Sequence, residues 1–384
     1  MNIRDFKGTD IELSGERFSV TYKIYGEEED SLKTAQEICL ADTIDFPDEL
    51  LPDGVINSQI KGKIESIESF ESEVFNAVIS YAIETAEGEL TQLLNVIFGN
   101  TSMKPGIQVL NIELPESLLS LYNGPRYGIN GIREALSLSK RPLLSASLKP
   151  VGLTPKELSK LAYELALGGI DIVMDNHGLA DQSFAPFDER VALCSEAVQK
   201  ANSITGFKSI YVPNITAPYD DIFTRAEMAK KANAGALLIA PGLTGLDTMR
   251  SIADDISVAL PIISHPSFYG SFIVGPDGIS HGVILGQLMR LAGADVTIFP
   301  NYINNFFINK KECLDIVGNA VNPIGHLKSI FPCPMSGVNL KNIAEMLKTY
   351  GNDTIIIVDE DLYKSDIKDI CHQYRKIVEN AHML

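Results

Sequence analysis

Apolar and polar residues alternate through 18–24 (FSVTYKI), the period of a half-buried strand. A helical stretch follows around 31–40, and two more strand-like runs occupy 60–69 and 72–84. Residues 88–100 (GELTQLLNVIFGN) gather their apolar positions on one stripe of a helix, and 107–115 (IQVLNIELP) read as another strand. This order predicts a small antiparallel sheet covered by helices, an α+β unit of ferredoxin-like type over residues 1–130. The glycine- and proline-bearing segment 121–131 (LYNGPRYGING) predicts the linker out of it.

The pattern then becomes regular. Apolar runs recur at 142–149, 170–175, 209–216, 236–241, 261–266, 295–300, 329–335 and 354–359, each followed by a helical stretch. The repeat is about 30 residues, one βα unit. Near-continuous apolar strands are buried on both faces, which marks a parallel sheet. Eight units predict a closed (β/α)₈ TIM barrel over 131–384. An open doubly wound sheet fits less well, because no glycine fingerprint follows the first strand. Thr154-Pro155-Lys156-Glu157 predicts a capped helix start, Gly168-Gly169 its end, and Asn339 the cap of the seventh helix.

Composition narrows the function classes. The 384 residues carry a formal net charge of −18, which argues against nucleic acid and anionic membrane as partners. No apolar run reaches the ~18 residues of a membrane span. The opening MNIRDFKGTDIEL lacks the apolar core of a secretory signal, so the expected location is cytoplasmic. Cys39, Cys194, Cys313, Cys333 and Cys371 are scattered without CxxC spacing and read as buried free thiols.

Barrels of this kind do their chemistry at the C-terminal ends of the strands. Those ends carry Lys149; Asp175, Asn176 and His177; Asn214; Ser264-His265; Asn301; Ser336-Gly337; and Asp359-Glu360-Asp361. Lys149 could hold an anionic oxygen or serve as a general base, although a strand-end lysine can also be merely solvated. His177 and His265 suit acid/base work, against the plainer reading of hydrogen-bonded core histidines. His281, His326, His372 and His382 fall in helices, loops or the tail and read as structural or exposed. Ser336-Gly337 precedes a helix whose free N–H groups could receive phosphate or carboxylate. The three acids after the last strand read by default as a solvated loop. Asp175 alone does not complete a hard-metal cluster, and two histidines without a third ligand are weak support for a transition metal.

The segments GPRYGINGIRE, RPLLSASLKPVGLTP, GGIDIVMDNHG, SHPSFYGSF, LMRLAGAD and MSGVN, in this order and spacing, resemble the RuBisCO large-subunit family, in the style of its RuBisCO-like (form IV type) members that do not fix carbon. The resemblance implies an N-terminal α/β domain, a C-terminal barrel, and a homodimer in which one subunit's N-terminal domain covers the other's barrel mouth. It implies that Lys149 matches the lysine that handles the enolate proton, and that Asn100 (in IFGNTS) matches an N-domain asparagine of the site. His265 matches an active-site histidine, and Ser336 and Gly337 a substrate- and phosphate-binding loop. Other positions depart from the pattern. The carbamylated lysine and its two acidic Mg²⁺ co-ligands are Met174, Asn176 and His177. The strand 1 motif is one residue short of its second lysine, Pro266 replaces an arginine, and no mobile-loop lysine is evident after Asn301. The last phosphate-binding glycine pair is replaced around Val358–Asp361, and the N-domain Thr-Trp pair is Asp45-Phe46. The expectation is an enzyme needing neither cofactor nor metal: Lys149, His177, His265, Asp175 and Asn176 catalytic, with Asn100, Asn214, Asn301, Ser336 and Gly337 binding a small substrate, an anion being compatible with this set. Enolisation, isomerisation or decarboxylation fits this set. The alternative is a non-catalytic binding or scaffolding protein on the same fold.

Overall fold

A computed structural model describes residues 8, 10, 12–52, 54–138, 140–303 and 307–381. Most of the opening stretch, and His382, lie outside the described residues. The chain divides into two compact units, Met1–Tyr122 with Gly270–Gln287, and Asn123–Tyr269 with Leu288–Leu384.

The first unit runs β1 (Arg17–Tyr25), α1 (Glu28–Ala41), β2 (Lys63–Glu71), β3 (Val74–Ala82), α2 (Leu90–Phe98) and β4 (Ile107–Glu113). The sheet order β4-β1-β3-β2, antiparallel throughout, is that of a ferredoxin-like fold. Phe18, Val20, Tyr22 and Ile24 of β1 are buried at every second position, which is why that run alternates in the sequence. The two-residue strand Gly278–Ile279 (β10) adds to β4 in parallel, and Asp277 accepts the Gly106 N–H at 2.9 Å.

The second unit holds β5 (Leu143–Leu148), β6 (Ile172–Asp175), β7 (Ile210–Val212), β8 (Leu237–Ile239), β9 (Ile262–Ser264), β11 (Val296–Pro300), β12 (Phe331–Met335) and β13 (Ile355–Ile357). All its pairings are parallel, in the orders β13-β5-β6-β7 and β8-β9-β11-β12. The Asn214–Leu238 bridge joins β7 to β8, and Thr354 Oγ1 donates to Pro332 O at 3.1 Å between the strands at the other seam. The eight strands thus follow one another around a barrel.

Its interior is filled by Leu143, Ile172, Met174, Val212, Leu238, Ile263, Val296, Ile298, Phe331, Cys333, Ile355 and Ile357. Ile129, Ile132 and Leu136, on one face of the helix Gly128–Leu136, join that core and close the end where the strands begin. Asp295, just ahead of β11, accepts the Tyr127 and Gly128 N–H groups at 2.7 Å each and that of Ile262 at 2.9 Å. Arg290 is fully buried and donates to the carbonyls of Asn319, Asn322, Leu327 and Lys328. The LMRLAGAD segment is therefore structural: it spends its two charges on tying down backbone.

Thr154 accepts from Glu157 N while Glu157 accepts from Thr154 N, the reciprocal cap expected, with Pro155 in the first turn of the helix Pro155–Leu167. Asn339 departs from expectation. The seventh helix begins at Ile343 with Asn342 in the cap position, and Asn339 Oδ1 instead accepts from Lys341 N and Asn342 N in the turn before it. All five cysteines are buried and free. Among the described residues no helix is long and apolar enough to cross a membrane.

Candidate active site

Each strand of the second unit delivers its next one or two residues to the same end of the barrel. Lys149 follows β5, and its Nζ pairs with Asp359 Oδ2, two residues past β13, at 2.6 Å. β13 is the hydrogen-bonded neighbour of β5, so closure of the barrel brings these residues together across 210 positions of sequence. The acids after the last strand are consequently not a solvated loop. Asp361 accepts from Leu340 N at 3.0 Å and from Tyr374 OH at 3.1 Å, and pairs with Lys364.

His177 and His265 meet face to face, with ring centroids 4.4 Å apart and planes 16° from parallel. His177 is exposed as a residue, but the packing on one side of its ring desolvates the imidazole enough to lower it below its ordinary value, and the nearby Lys149 charge lowers it further. Burial takes His265 down to about 3, with a smaller push from His177. Both rings are neutral at pH 7. His265 is fixed by its own N–H to Ile239 O at 2.8 Å, and its Nδ1 accepts from Ser267 N at 3.2 Å and lies 2.8 Å from Ser267 Oγ.

The other strand-end residues form a frame. Asp175 is fully buried, with Oδ1 accepting from Tyr211 OH at 2.7 Å and Oδ2 from Arg190 Nε at 3.1 Å and Asn214 N at 3.0 Å. Burial raises its carboxyl, and the facing Arg190 charge opposes that shift. Asn214 Nδ2 donates to His177 O at 2.9 Å and Leu179 O at 2.8 Å, holding the backbone that carries His177. Asn176 Oδ1 accepts from Gly178 N at 2.8 Å in a tight turn. Asn301 is buried between Tyr350 OH (2.8 Å) and the Met346 sulfur (3.4 Å), tied to the helix Ile343–Tyr350. Ser336 and Gly337 both have positive φ, 69° and 77°. His281 is buried, His372 half-buried and His326 exposed.

Asn100 lies in the first unit, its Nδ2 3.4 Å from Ala41 O. Beside it is a residue that sequence reasoning passed over. Asp42 is buried, accepts Thr101 N at 3.3 Å through Oδ1, and leaves Oδ2 without a partner among the described residues, with burial raising its carboxyl. Its position three residues before Asp45-Phe46 was the available signal. Ser267, two residues past His265, was also missed. A cavity of about 630 Å³ lies where the strands begin, lined by Arg126, Asn130, Lys328 and Asp353. That end of a barrel serves stability, so its size does not outweigh the chemistry at the other end.

The His265 environment has a consequence for stability. A depressed imidazole contributes stability that is present above pH 6.5 and lost as pH falls towards its folded value, because the unfolded chain takes the proton first. The expected slope approaches about 1.4 kcal/mol per pH unit between pH 6 and the folded value near 3. His265→Asn keeps an acceptor for Ser267 N and removes this titration. Urea unfolding at pH 7, 5 and 4 should show the variant losing less stability than the parent; parallel losses would refute the assignment.

The carboxylase metal site can be tested against the side chains present. Met174, which the resemblance sets at the carbamyl-lysine position, packs in the apolar barrel core. Asn176 and His177, which the same resemblance sets at the two acidic positions, are engaged otherwise, one bonded to Gly178 N and the other stacked on His265. Asp175 is consumed by Arg190, Tyr211 and Asn214. Mg²⁺ binds oxygen ligands, usually including anionic ones, and this donor set does not fit it.

A ferredoxin-like unit and a parallel barrel with lysine and histidine at its strand ends define a RuBisCO-type architecture. Residues 128–359 match the family "Ribulose bisphosphate carboxylase large chain, catalytic domain". The chain is 32% identical over 347 residues to Ribulose bisphosphate carboxylase-like protein 1 of Rhodopseudomonas palustris, covering 90% of this chain and 93% of that one. It is 31% identical over 351 residues to 5-methylthioribulose-1-phosphate isomerase of Rhodospirillum rubrum, covering 91% and 92%. The crystal structure of a Rubisco-like protein from Rhodopseudomonas palustris superposes with a TM-score of 0.87 at 32% identity, covering 95% of this chain and 98% of that one. The chain belongs to the ribulose bisphosphate carboxylase large-chain family. Within it, the chain is of the RuBisCO-like, non-carboxylating type.

Proposed function

We propose that the protein catalyses metal-independent proton transfer next to the carbonyl of a small phosphorylated ketose, as an isomerase or enolase-type enzyme. The carrying observation is the gathering of Lys149 with two neutral imidazoles, His177 and His265, where the carboxylases would place their metal. On this reading the Lys149 ammonium, oriented by Asp359, steadies negative charge developing on the carbonyl oxygen. His177, exposed and neutral, removes the proton and returns it to the neighbouring carbon. Asp175 and Asn214 position the strand and loop without touching the substrate, while Asn176 shapes the turn.

Asp359 puts a carboxylate where the bisphosphate enzymes hold a phosphate, which favours a substrate with one phosphate, received at Ser336-Gly337. The name of the Rhodospirillum rubrum relative describes such a substrate. On the same proposal the active form is a homodimer, with Asn100 and Asp42 supplied to the site of a second copy.

The direct test is exchange of substrate hydrogen with solvent. Incubation in ²H₂O with 5-methylthioribulose 1-phosphate and other pentulose monophosphates should place deuterium next to the carbonyl, unaffected by EDTA. Absence of exchange in every case, or exchange abolished by the chelator, refutes the reading. Ribulose 1,5-bisphosphate with ¹⁴CO₂ and Mg²⁺ should yield only background fixation, since Met174, Asn176 and His177 do not fit the ion that carboxylation requires. Mg²⁺-dependent fixation would overturn that.

A further inference from the structure

We propose that Ser267 is a positioning residue that locks His265 in the Nε2–H form, so that His265 donates a hydrogen bond to a substrate oxygen and does not act as the base. The role in turnover rests on the proton-transfer reading above; the locking itself does not.

The argument starts from the chain path. His265 leaves β9 with its backbone N–H on Ile239 O, which sets the residue at the barrel end. The next residue is Pro266, and Tyr269 N closes a turn onto Pro266 O at 3.1 Å. Phe268 takes a left-handed φ of 75° within that turn. The turn folds Ser267 back over the ring, bringing both its N–H and its hydroxyl to Nδ1, at 3.2 and 2.8 Å. A backbone N–H can only donate. Nδ1 must therefore present its lone pair, and the proton of the neutral ring is on Nε2.

Neighbouring elements are shaped to permit this. A Cβ on Gly242, just after β8, would lie 2.5 Å from Ser267 O, so glycine there gives the Ser267 backbone its room. On the other side, the His177 ring covers the His265 face at 4.4 Å. Two stacked imidazoles close to the Lys149 ammonium resist a second positive charge, and burial holds His265 neutral. A ring that stays neutral across the working pH range, with its only proton on Nε2, is a poor proton acceptor at Nδ1 and a good donor at Nε2. It can polarise a carbonyl or hold an enolate oxygen without itself becoming charged.

The stacked pair thereby acquires a division of labour. His177, the more exposed ring, has no such N–H fixing its tautomer among the described residues and remains available to accept a proton. His265 works on the oxygen. Ser267 sets this polarity, although it need not touch the substrate.

The test uses the full-length protein with ¹⁵N-labelled histidine and long-range ¹H–¹⁵N NMR, the His265 signals being identified by their loss in His265→Asn. The expected result is Nδ1 unprotonated and Nε2 protonated from pH 8 down to pH 5. Ser267→Ala keeps the N–H but removes the hydroxyl. The 3.2 Å N–H then remains as the donor to Nδ1, so the lock should weaken without vanishing: part of the His265 population should take the Nδ1–H form, and kcat should fall by up to about tenfold with KM little changed, the scale of one lost hydrogen bond. Ser267→Thr should restore both the spectrum and the rate. An Nδ1–H or cationic His265 in the parent at pH 7 overturns the proposal, as does a Ser267→Ala spectrum and kcat identical to the parent. The spectrum is read without substrate, so the expected signature with no hydrogen exchange in any ketose phosphate would retain the locking and refute the proton-transfer reading.

Discussion

Arg190→Met is expected to lower the unfolding free energy by about 3–5 kcal/mol, the range for removing one partner of a fully buried ion pair. Neither side chain of the Arg190–Asp175 pair is exposed to solvent. Methionine would fill much of the volume but leave Asp175 with only Tyr211 OH and Asn214 N as donors. Arg190 also donates to Ala180 O at 2.7 Å and Ala185 O at 2.6 Å, so two carbonyls of the loop that carries His177 would lose their partners. The deficit has a signed pH dependence. Without the guanidinium, burial pushes the Asp175 carboxyl further up, so the folded state binds its proton more tightly than the unfolded chain. The variant's deficit should be largest at neutral pH and shrink towards pH 4, and Asp175→Asn in the same background should relieve part of it. Urea unfolding at pH 7 and pH 5 measures both effects; a loss under about 1 kcal/mol would show that the pair is replaceable.

This pair also shows where sequence reasoning stops. Asp175 stands at a strand end and reads as a candidate acid, but nothing local tells that the helix Phe187–Thr205 returns Arg190 to it. What is local was legible. The apolar runs fill the barrel, and the Thr154–Glu157 cap spans three residues. The candidate chemistry was legible as residue types at strand ends, because the barrel topology brings consecutive strand ends together. The pairings were not. Lys149 meets Asp359 only when β13 closes on β5, and β10 joins β4 by two residues with some 170 between them. The segment Gly270–Gln287 therefore belongs to the first unit despite lying inside the barrel's sequence. Asn339 was misplaced as a cap because a turn that binds N–H groups and a helix start share the same residue preferences.

Lys149→Ala is expected to reduce hydrogen exchange next to the substrate carbonyl by about 10²–10⁴-fold, the usual worth of a positioned acid, base or oxyanion donor. The side chain is about a third exposed and its partner Asp359 a quarter, so removing the ammonium should leave the fold and its unfolding midpoint nearly unchanged. Two further effects separate a catalytic role from a structural one. The Lys149 charge helps hold His177 below its ordinary value, so its loss should move His177 upward, towards the usual imidazole range. If His177 is the base, the acidic limb of the residual pH–rate profile then shifts to higher pH. Lys149→Arg should recover the position of that limb but little of the rate, because a planar guanidinium keeps the charge without placing it where a point-like ammonium sits. Exchange unchanged within twofold in Lys149→Ala would remove Lys149 from the mechanism. A lost rate with an unmoved acidic limb would keep Lys149 and remove His177 as the base.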